Sequence, residues 1–420
     1  MNASATSIAP SEVEVMAPAG SFEALMAAIQ GGANAVYFGV GELNMRAKST
    51  VNFAPDDLPR VAQLCRQHDL RSYLTVNTVL YDGDLPAMHR IMEQAAQAGI
   101  SAVIVSDQAA MLKAHSCGLE VHLSTQLNIS NAEALAFYAQ WADVAVLARE
   151  LSLEQVRQIA DAIAQRPIIG PSGRPVKIEM FAHGALCMAI SGKCYLSLHG
   201  ANRSANRGAC VQICRRSYTV TDNETGDQLH IDNEYIMSPK DLCTIAFIDK
   251  LLAAGVRVLK IEGRARGPEY VKTVTQCYSE AVQAIANGTY TPQRVEQWTQ
   301  RLSAVFNRGF WDGYYLGRRL GEWSSAYGNT AIERKLYVGK VSNYFARVGV
   351  AEMDIEAAPL ALGDRVLVIG PTTGVMEATV DSLMINDQPA TACPQGASCT
   401  IKVPTTVRRA DKLFKLVSSD

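Results

Sequence analysis

The stretch VEVMAPAGSFEALMAAIQGGANAVYFGV, residues 13–40, decides how the rest of the chain is interpreted. It begins and ends with short β-rich runs, 13–18 and 35–40, of the kind found in buried strands. Between them, FEALMAAIQGG has the apolar spacing of an amphipathic helix. A strand, a helix and a second strand in this order predict a parallel, right-handed βα unit.

The same alternation continues through the first 290 residues of the chain. Eight strand-like segments are present: 13–18, 35–40, 72–77, 102–107, 121–126, 144–149, 177–183 and 256–263. Helical spacing lies between them, Ser152 and Gln155 form a capping box, and Pro239 and Pro268 stand where first helical residues belong. Eight βα units predict an α/β fold, a TIM-type (β/α)8 barrel over residues 1–290, rather than an open doubly wound sheet.

The pattern changes after residue 290. A helical segment leads into the aromatic, glycine-rich NRGFWDGYYLGRRLGEWSSAYGN, so residues 291–334 are predicted to be a linker that packs on the barrel. Short strand-like runs separated by turns then predict a small all-β, barrel-like domain over residues 335–420. Basic and acidic residues are about equally frequent there, so a packing or dimerisation role is as compatible with its charge as nucleic-acid binding.

Composition limits the class of protein. The chain has 420 residues, 48% of them apolar, and a net charge of −2, so it is no generic polyanion binder. Its N-terminus has no signal-peptide pattern and no apolar run is long enough to span a membrane, which predicts a cytoplasmic protein with no membrane partner. In that reducing compartment, ten cysteines indicate metal binding or reactivity rather than disulfides.

Four of these cysteines lie in one long insertion after the seventh strand. Cys187, Cys194, Cys210 and Cys214 follow the pattern C-x6-C-x15-C-x3-C within residues 183–235, where a βα loop usually needs only a few residues. Thiolate ligands in this arrangement favour an iron-sulfur cluster, while zinc or no metal at all remain alternatives. Cys243 is interpreted as a buried helix residue, because its neighbours are apolar.

Polar residues close the predicted strands, at the end of the barrel where such enzymes place their chemistry. These residues, together with Arg46 in the loop after the second strand, outline a mouth suited to a small anionic substrate. We expect Arg149 and Arg264 to bind carboxylates and His183 or Glu262 to handle a proton. The candidate site residues are Arg46, Asn77, Gln126, Arg149, His183, Glu262 and Arg264. A nucleophilic dyad of His183 and Cys187 is a weaker alternative.

The insertion also carries a local positive charge. From Cys187 to Arg216 it contains five basic residues and no acidic residue; the five are Lys193, Arg203, Arg207, Arg215 and Arg216. Such a run is either a solvated surface or a contact for nucleic acid.

Several motifs occur together in a fixed order: MAPAGSFEALMAAIQGGANAVYFG, ARELSLEQV, MFAHGALCMAISGKCYLS, NRGACVQICRRSY, YIMSPKDL and LKIEGRARGPEYV. On these motifs the chain resembles the collagenase-like peptidase family of unknown catalytic type, over nearly its whole length. The CxxxC pair and the C-terminal strand domain are similar to the TrhP-like branch of tRNA hydroxylation proteins.

This resemblance implies oxygen-independent hydroxylation of RNA, with prephenate as the hydroxyl donor and 5-hydroxyuridine at the tRNA wobble position as the product. It also implies a [4Fe-4S] cluster on Cys187, Cys194, Cys210 and Cys214. The implied partners are tRNA and prephenate, with an external electron donor as a further candidate. In ubiquinone-type relatives the fourth ligand comes from farther downstream, so Cys243 is an alternative to Cys214.

Other functions compete with this one. Ribosomal RNA or a ubiquinone precursor are alternative substrates within the family. A peptidase, the family's historical label, should show a hydrolytic motif, yet the sequence has no HExxH and no GxSxG. A non-catalytic RNA-binding protein would use the cluster for structure alone.

Overall fold

The computed structural model describes residues 9–48, 52–216, 218–229, 237–317, 321–324 and 328–419. Strands and helices alternate strictly through its first part. These elements are β1 (Glu14–Pro18), α1 (Phe22–Gln30), β2 (Ala35–Gly39), α2 (Leu58–Gln67), β3 (Arg71–Val76), α3 (Leu85–Ala98), β4 (Ala102–Val105), α4 (Gln108–Ser116), β5 (Glu120–Leu123), α5 (Ala132–Ala139), β6 (Val144–Val146), α6 (Leu153–Gln165) and β7 (Lys177–Ala185). The strands are almost continuously apolar and buried, as strands covered on both faces must be.

The next part of the chain contains the cysteine-bearing insertion and the last barrel strand. Its elements are α7 (Leu196–Ala201), β8 (Val220–Thr221), β9 (Gln228–Leu229), β10 (Asp241–Cys243), α8 (Ile248–Ala253), β11 (Val256–Ile261) and α9 (Pro268–Ala286). Strand β11 pairs in parallel with both β1 and β7, and β1 to β7 pair with their sequence neighbours. The eight strands therefore close into a ring, which confirms the predicted TIM-type barrel. The end of the insertion, residues 230–236, lies outside the described residues.

Local signals in the sequence were right in two cases and wrong in two. The capping box of Ser152 and Gln155 starts α6, and Pro268 is the first residue of α9. Pro239 starts no helix but forms an isolated bridge with Trp323. Cys243 lies on strand β10 rather than on a helix, because β7 extends beyond the barrel and pairs antiparallel with Asp241–Cys243. Pairing with the extended end of β7 therefore overrides the helix that the apolar pattern predicts at Cys243.

A chain of ion pairs crosses the interior of the barrel, which in this fold is usually filled by branched apolar side chains. Lys260 Nζ lies 2.6 Å from Glu179 Oε1, and Glu179 Oε2 lies 3.7 Å from His122 Nδ1. His122 Nε2 is 3.1 Å from Glu120 Oε1, and Glu120 Oε2 is 2.6 Å from Arg71. Burial opposes the charge on His122, but the two carboxylates raise the pKa of its imidazole. Alternating charges thus offset the cost of burial and hold Lys260 below the mouth of the barrel.

The remaining elements form a connection and a second domain. They are α10 (Pro292–Ala304), β12 (Phe310–Trp311), β13 (Glu333–Phe345), β14 (Val350–Ile355), β15 (Leu360–Ala361), β16 (Arg365–Gly370), β17 (Gly374–Thr379), β18 (Leu383–Ile385), β19 (Gln388–Pro389), β20 (Ala392–Cys393), β21 (Ser398–Lys402) and β22 (Lys412–Ser418). Strand β12 pairs with β10, and Trp298, Trp311 and Tyr315 pack into the barrel's core cluster. Eight of the last ten strands form one antiparallel sheet, which confirms the all-β domain.

The β domain is fixed to the side of the barrel formed by α1 and α9. Gln30 on α1 donates to the carbonyl of Thr373 (2.9 Å) and accepts from the amide of Val375 (2.9 Å). Lys272 on α9 donates to the carbonyl of Val375 (2.9 Å). None of the helices in the described residues combines the length and the hydropathy that crossing a bilayer requires.

Candidate active site

A pocket of about 410 Å³ lies at the carboxyl ends of the barrel strands and beneath the cysteine-bearing insertion. The barrel and the insertion both contribute to the walls of this pocket. The lining residues include Tyr37, Arg46, Thr75, Asn77, Gln126, Arg149, Lys260, Glu262 and Arg264 from the barrel, and Cys187, Cys194, Cys210 and Cys214 from the insertion. Every site residue expected from the sequence lines this pocket, with the exception of His183.

Arg264 follows β11 and is only 6% exposed. Its Nη1 donates to Thr75 Oγ1 at 3.0 Å, and burial lowers the pKa of the guanidinium to about 10, so it stays charged at neutral pH. Gly39 makes room for it, since a Cβ on Gly39 would lie 2.4 Å from Arg264 Nη1. A buried cation at the pocket wall is suited to binding a carboxylate.

Arg46 and Glu262 form an ion pair within the pocket. Arg46 Nη2 lies 2.8 Å from Glu262 Oε1, and Glu262 is 9% exposed. Burial favours the neutral acid, but Arg46, Arg266 and Arg149 together lower the pKa of the Glu262 carboxyl. Glu262 is therefore an ionised carboxylate, and it partly neutralises Arg46.

Arg149 has a different environment from the other two arginines. Its guanidinium carbon lies 4.0 Å from the centroid of the Phe181 ring, in a cation–π contact. Its Nε is buried and forms no hydrogen bond in the described structure. Stacking on Phe181 holds the planar group while leaving it able to bind an anion.

Asn77, at the end of β3, connects three parts of the pocket wall. Its Oδ1 accepts from the amide of Met45 at 3.2 Å, which fixes the loop that carries Arg46. Its Nδ2 donates to Ser124 Oγ at 3.0 Å and lies 3.5 Å from Gln126 Oε1. The side-chain amides of Asn77 and Gln126 therefore position the pocket wall and also offer polar groups to a bound molecule.

The insertion is held over the pocket by contacts to its surroundings. Arg215 donates to the carbonyl of Leu186 (2.6 Å) and to Ser238 Oγ (2.9 Å), and Gly208 O accepts from the amide of Lys48 (3.0 Å). Gly208 has φ +74°, and a Cβ there would lie 2.3 Å from the carbonyl of Asn44. Glycine at this position lets the insertion return to the barrel.

The four thiols share one environment. The pKa of the Cys214 thiol is raised to about 11, chiefly by burial and in smaller part by the three other thiols, while Arg215 acts to lower it. Cys187 is exposed and the other three are partly exposed, so the thiols face the pocket rather than the core. Ser197 Oγ lies 3.9 Å from Cys210 Sγ. Within the described ranges, no three His, Cys, Asp or Glu side chains are placed so that they could hold a metal ion.

His183 and Cys243 lie outside the pocket. His183 is 1% exposed and packs against the rings of Tyr270, Tyr278 and Phe310, and burial lowers its pKa to about 3. Cys243 Sγ lies 4.0 Å from the hydroxyl of Tyr278. The structure brings neither side chain to the four thiols, and the neutral, buried imidazole is poorly placed to exchange protons with a substrate.

Lys260 lines the pocket but was not among the expected site residues. Its ammonium lies 4.8 Å from the centroid of the Tyr37 ring and 2.6 Å from Glu179 Oε1. Strand periodicity could have identified it, because Val258 and Lys260 of β11 are two residues apart and therefore share one face, and Val258 packs in the barrel interior.

Comparisons with known proteins agree with this architecture. The model of peptidase family U32 matches residues 20–325. A Porphyromonas gingivalis protein named collagenase is 58% identical over 96% of this chain and 98% of its own length. A Bacillus subtilis protein named tRNA hydroxylation protein P1 is 29% identical over 89% of this chain and 87% of its own. The Escherichia coli 23S rRNA 5-hydroxycytidine C2501 synthase is 31% identical over 88% of this chain and 54% of its own.

Proposed function

We propose that this chain, which belongs to peptidase family U32, is an oxygen-independent RNA hydroxylase that forms 5-hydroxyuridine at the tRNA wobble position. Two of its relatives carry names that describe hydroxylation of RNA, one of tRNA and one of ribosomal RNA. RNA hydroxylation therefore occurs among proteins similar to this one over most of its length. The family resemblance adds prephenate as the proposed hydroxyl donor.

One observation carries the proposal: four thiols and three arginines line the same pocket. The thiols come from the insertion, while Arg46, Arg149 and Arg264 come from the barrel. A pocket of this kind can hold a metal–sulfur group on one wall and a small anion on the other. Peptide hydrolysis requires neither arrangement.

Cys187, Cys194, Cys210 and Cys214, which all line the pocket, are the residues that would hold a [4Fe-4S] cluster. Soft thiolate ligands select iron-sulfur clusters, and each thiolate of a four-iron cluster binds a different iron. The ligands then surround a volume instead of meeting at a single point, as ligands of one zinc ion must. Arg215 favours the thiolate form of Cys214, which the cluster requires. When bound, such a cluster supplies one-electron chemistry.

The barrel wall would bind the donor. Prephenate carries two carboxylates, and two cations lie on this wall: the buried Arg264, held by Thr75, and the partly buried Arg149, held by Phe181. Glu262 is ionised and can accept a proton from the bound molecules.

The uridine would enter from the insertion side. An enzyme acting on a base must accept it outside the base stack, and the four-thiol insertion contains basic residues but no acidic residue from 187 to 216. Mass spectrometry of tRNA nucleosides tests this function in the native host. Deleting the gene should abolish 5-hydroxyuridine derivatives, and wild-type protein, but not Arg264→Ala, should restore them. Unchanged derivatives after deletion would contradict the tRNA assignment.

A peptidase is the second candidate, because a relative that is 58% identical is named collagenase. In that case a gelatin substrate should be cleaved by purified protein, and Cys187→Ala should abolish cleavage. We expect no cleavage, since His183 is buried in an aromatic cluster and does not line the pocket that contains Cys187. The nucleoside assay in the host and the gelatin assay on purified protein detect different products, so together they discriminate between the candidates.

A further inference from the structure

The rim of the pocket exposes large apolar side chains. Tyr195 is 75% exposed, Ile190 54% and Met188 47%, and all three line the pocket. They belong to the insertion and lie in sequence between or beside the first two cysteines. Adjacent exposed apolar groups beside a cleft mark a binding surface rather than ordinary surface variation.

We propose that Tyr195, with Met188 and Ile190, forms a platform on which a nucleobase of single-stranded RNA stacks at the pocket entrance. This inference rests on the proposed RNA substrate and names the residues that hold the base. Aromatic side chains bind bases through their faces, while an amphipathic tyrosine is well suited to a site that is apolar on one side and wet on the other.

Charge on the insertion indicates RNA as the occupant. Lys193, Arg203 and Arg216 are exposed, and no ion pair involving them occurs in the part of the chain that the structure describes. By contrast, Arg207 pairs with Asp84, and Arg215 binds backbone carbonyls and Ser238. Lys193 on the pocket lining, with two further exposed cations on the same insertion, matches a molecule that combines phosphates with flat bases.

The backbone of Tyr195 is fixed although its ring is exposed. Tyr195 caps the N-terminus of α7, and its carbonyl accepts from the amide of His199 at 2.8 Å. The ring has two rotatable bonds, so stacking a base on it restricts little motion. A preorganised aromatic at the entrance is the arrangement that a single-stranded ligand favours.

Fluorescence anisotropy of the cluster-loaded protein tests the platform. The probes are a short fluorescein-labelled oligouridylate and the same RNA with one central abasic ribose. Wild type should bind the intact RNA about tenfold more tightly, as one stacked base contributes. Tyr195→Ala should bind both RNAs alike, whereas Tyr195→Phe should keep the preference. The control Phe137→Ala removes a ring on α5 that is 64% exposed and should change nothing.

Each outcome has a distinct meaning. Absence of RNA binding by wild type would overturn the RNA substrate and the platform together. A preference for the intact RNA that survives Tyr195→Ala would overturn the platform alone. Displacement of the RNA by a collagen-type peptide from wild type, but not from Tyr195→Phe, would mean that the rim binds peptide. Visible absorbance of each variant confirms that its cluster is present, since Tyr195 follows Cys194.

Discussion

Replacing Gly39 by alanine tests whether Arg264 binds a carboxylate of the donor. A Cβ at position 39 would lie 2.4 Å from Arg264 Nη1 and 2.5 Å from Asn52 Oδ1. Contacts under 3 Å cannot persist, so the guanidinium must move away from Thr75, to which it is hydrogen-bonded at 3.0 Å. Gly39 is not among the residues with positive φ, so the substitution acts through space rather than backbone strain.

The expected effect follows from losing one charge-assisted hydrogen bond. Such a bond contributes about 1.5–3 kcal/mol, so Gly39→Ala should weaken prephenate binding about 10- to 100-fold. Isothermal titration calorimetry of the cluster-loaded protein measures this directly. Gly83→Ala is the matched control, because no atom lies within 4 Å of its added Cβ.

A double substitution identifies the mechanism. If Gly39→Ala acts by displacing Arg264, it should add little to Arg264→Ala, since the two changes disrupt the same interaction. Additive losses would mean that Gly39 acts through another group. Wild-type affinity in Gly39→Ala would refute the placement of the donor beside Arg264.

Three further predictions concern the barrel interior and the thiols. Lys260→Met should lower the free energy of unfolding by about 3–5 kcal/mol, because it leaves Glu179 buried without its closest cation. Adding Glu179→Leu should recover most of the loss. Equal urea midpoints for the single and double variants would contradict this prediction. Burial disfavours ionisation of Glu120, but its cationic neighbours hold its pKa at about 2, below the ordinary 4.5. Its contribution is thus complete above pH 4.5 and disappears as the pH falls toward 2, so the urea midpoints of wild type and Glu120→Gln should converge only on acidification. Cys214→Ser should reduce bound iron sharply and Cys243→Ser should leave it unchanged; the reverse result would assign the fourth ligand to Cys243.

Much of the barrel could be predicted from the sequence because each strand is a short, continuous apolar run. A strand covered on both faces needs such a run, and helices with clear caps separate the strands. The polar ends of β3, β6 and β11 could also be placed at one mouth, since parallel strands in a closed barrel end on the same side. These regularities depend on local sequence and on the closure of the ring.

Features set by long-range contacts could not be predicted. Strand β10 forms because the extended end of β7 and the distant β12 both offer it a partner. His183 follows a predicted strand like the other candidates, yet an aromatic cluster that includes Tyr270 and Tyr278 encloses it. The role of Gly39 likewise depends on a guanidinium more than 200 residues away in sequence.

Chemical analysis of anaerobically purified protein tests the central claim most directly. If the four insertion thiols hold a [4Fe-4S] cluster, wild type should contain about four iron and four sulfide ions per chain, with a broad visible absorbance that Cys187→Ser removes. Stoichiometric zinc without sulfide, or iron that persists when Cys187 and Cys214 are both replaced, would contradict the account.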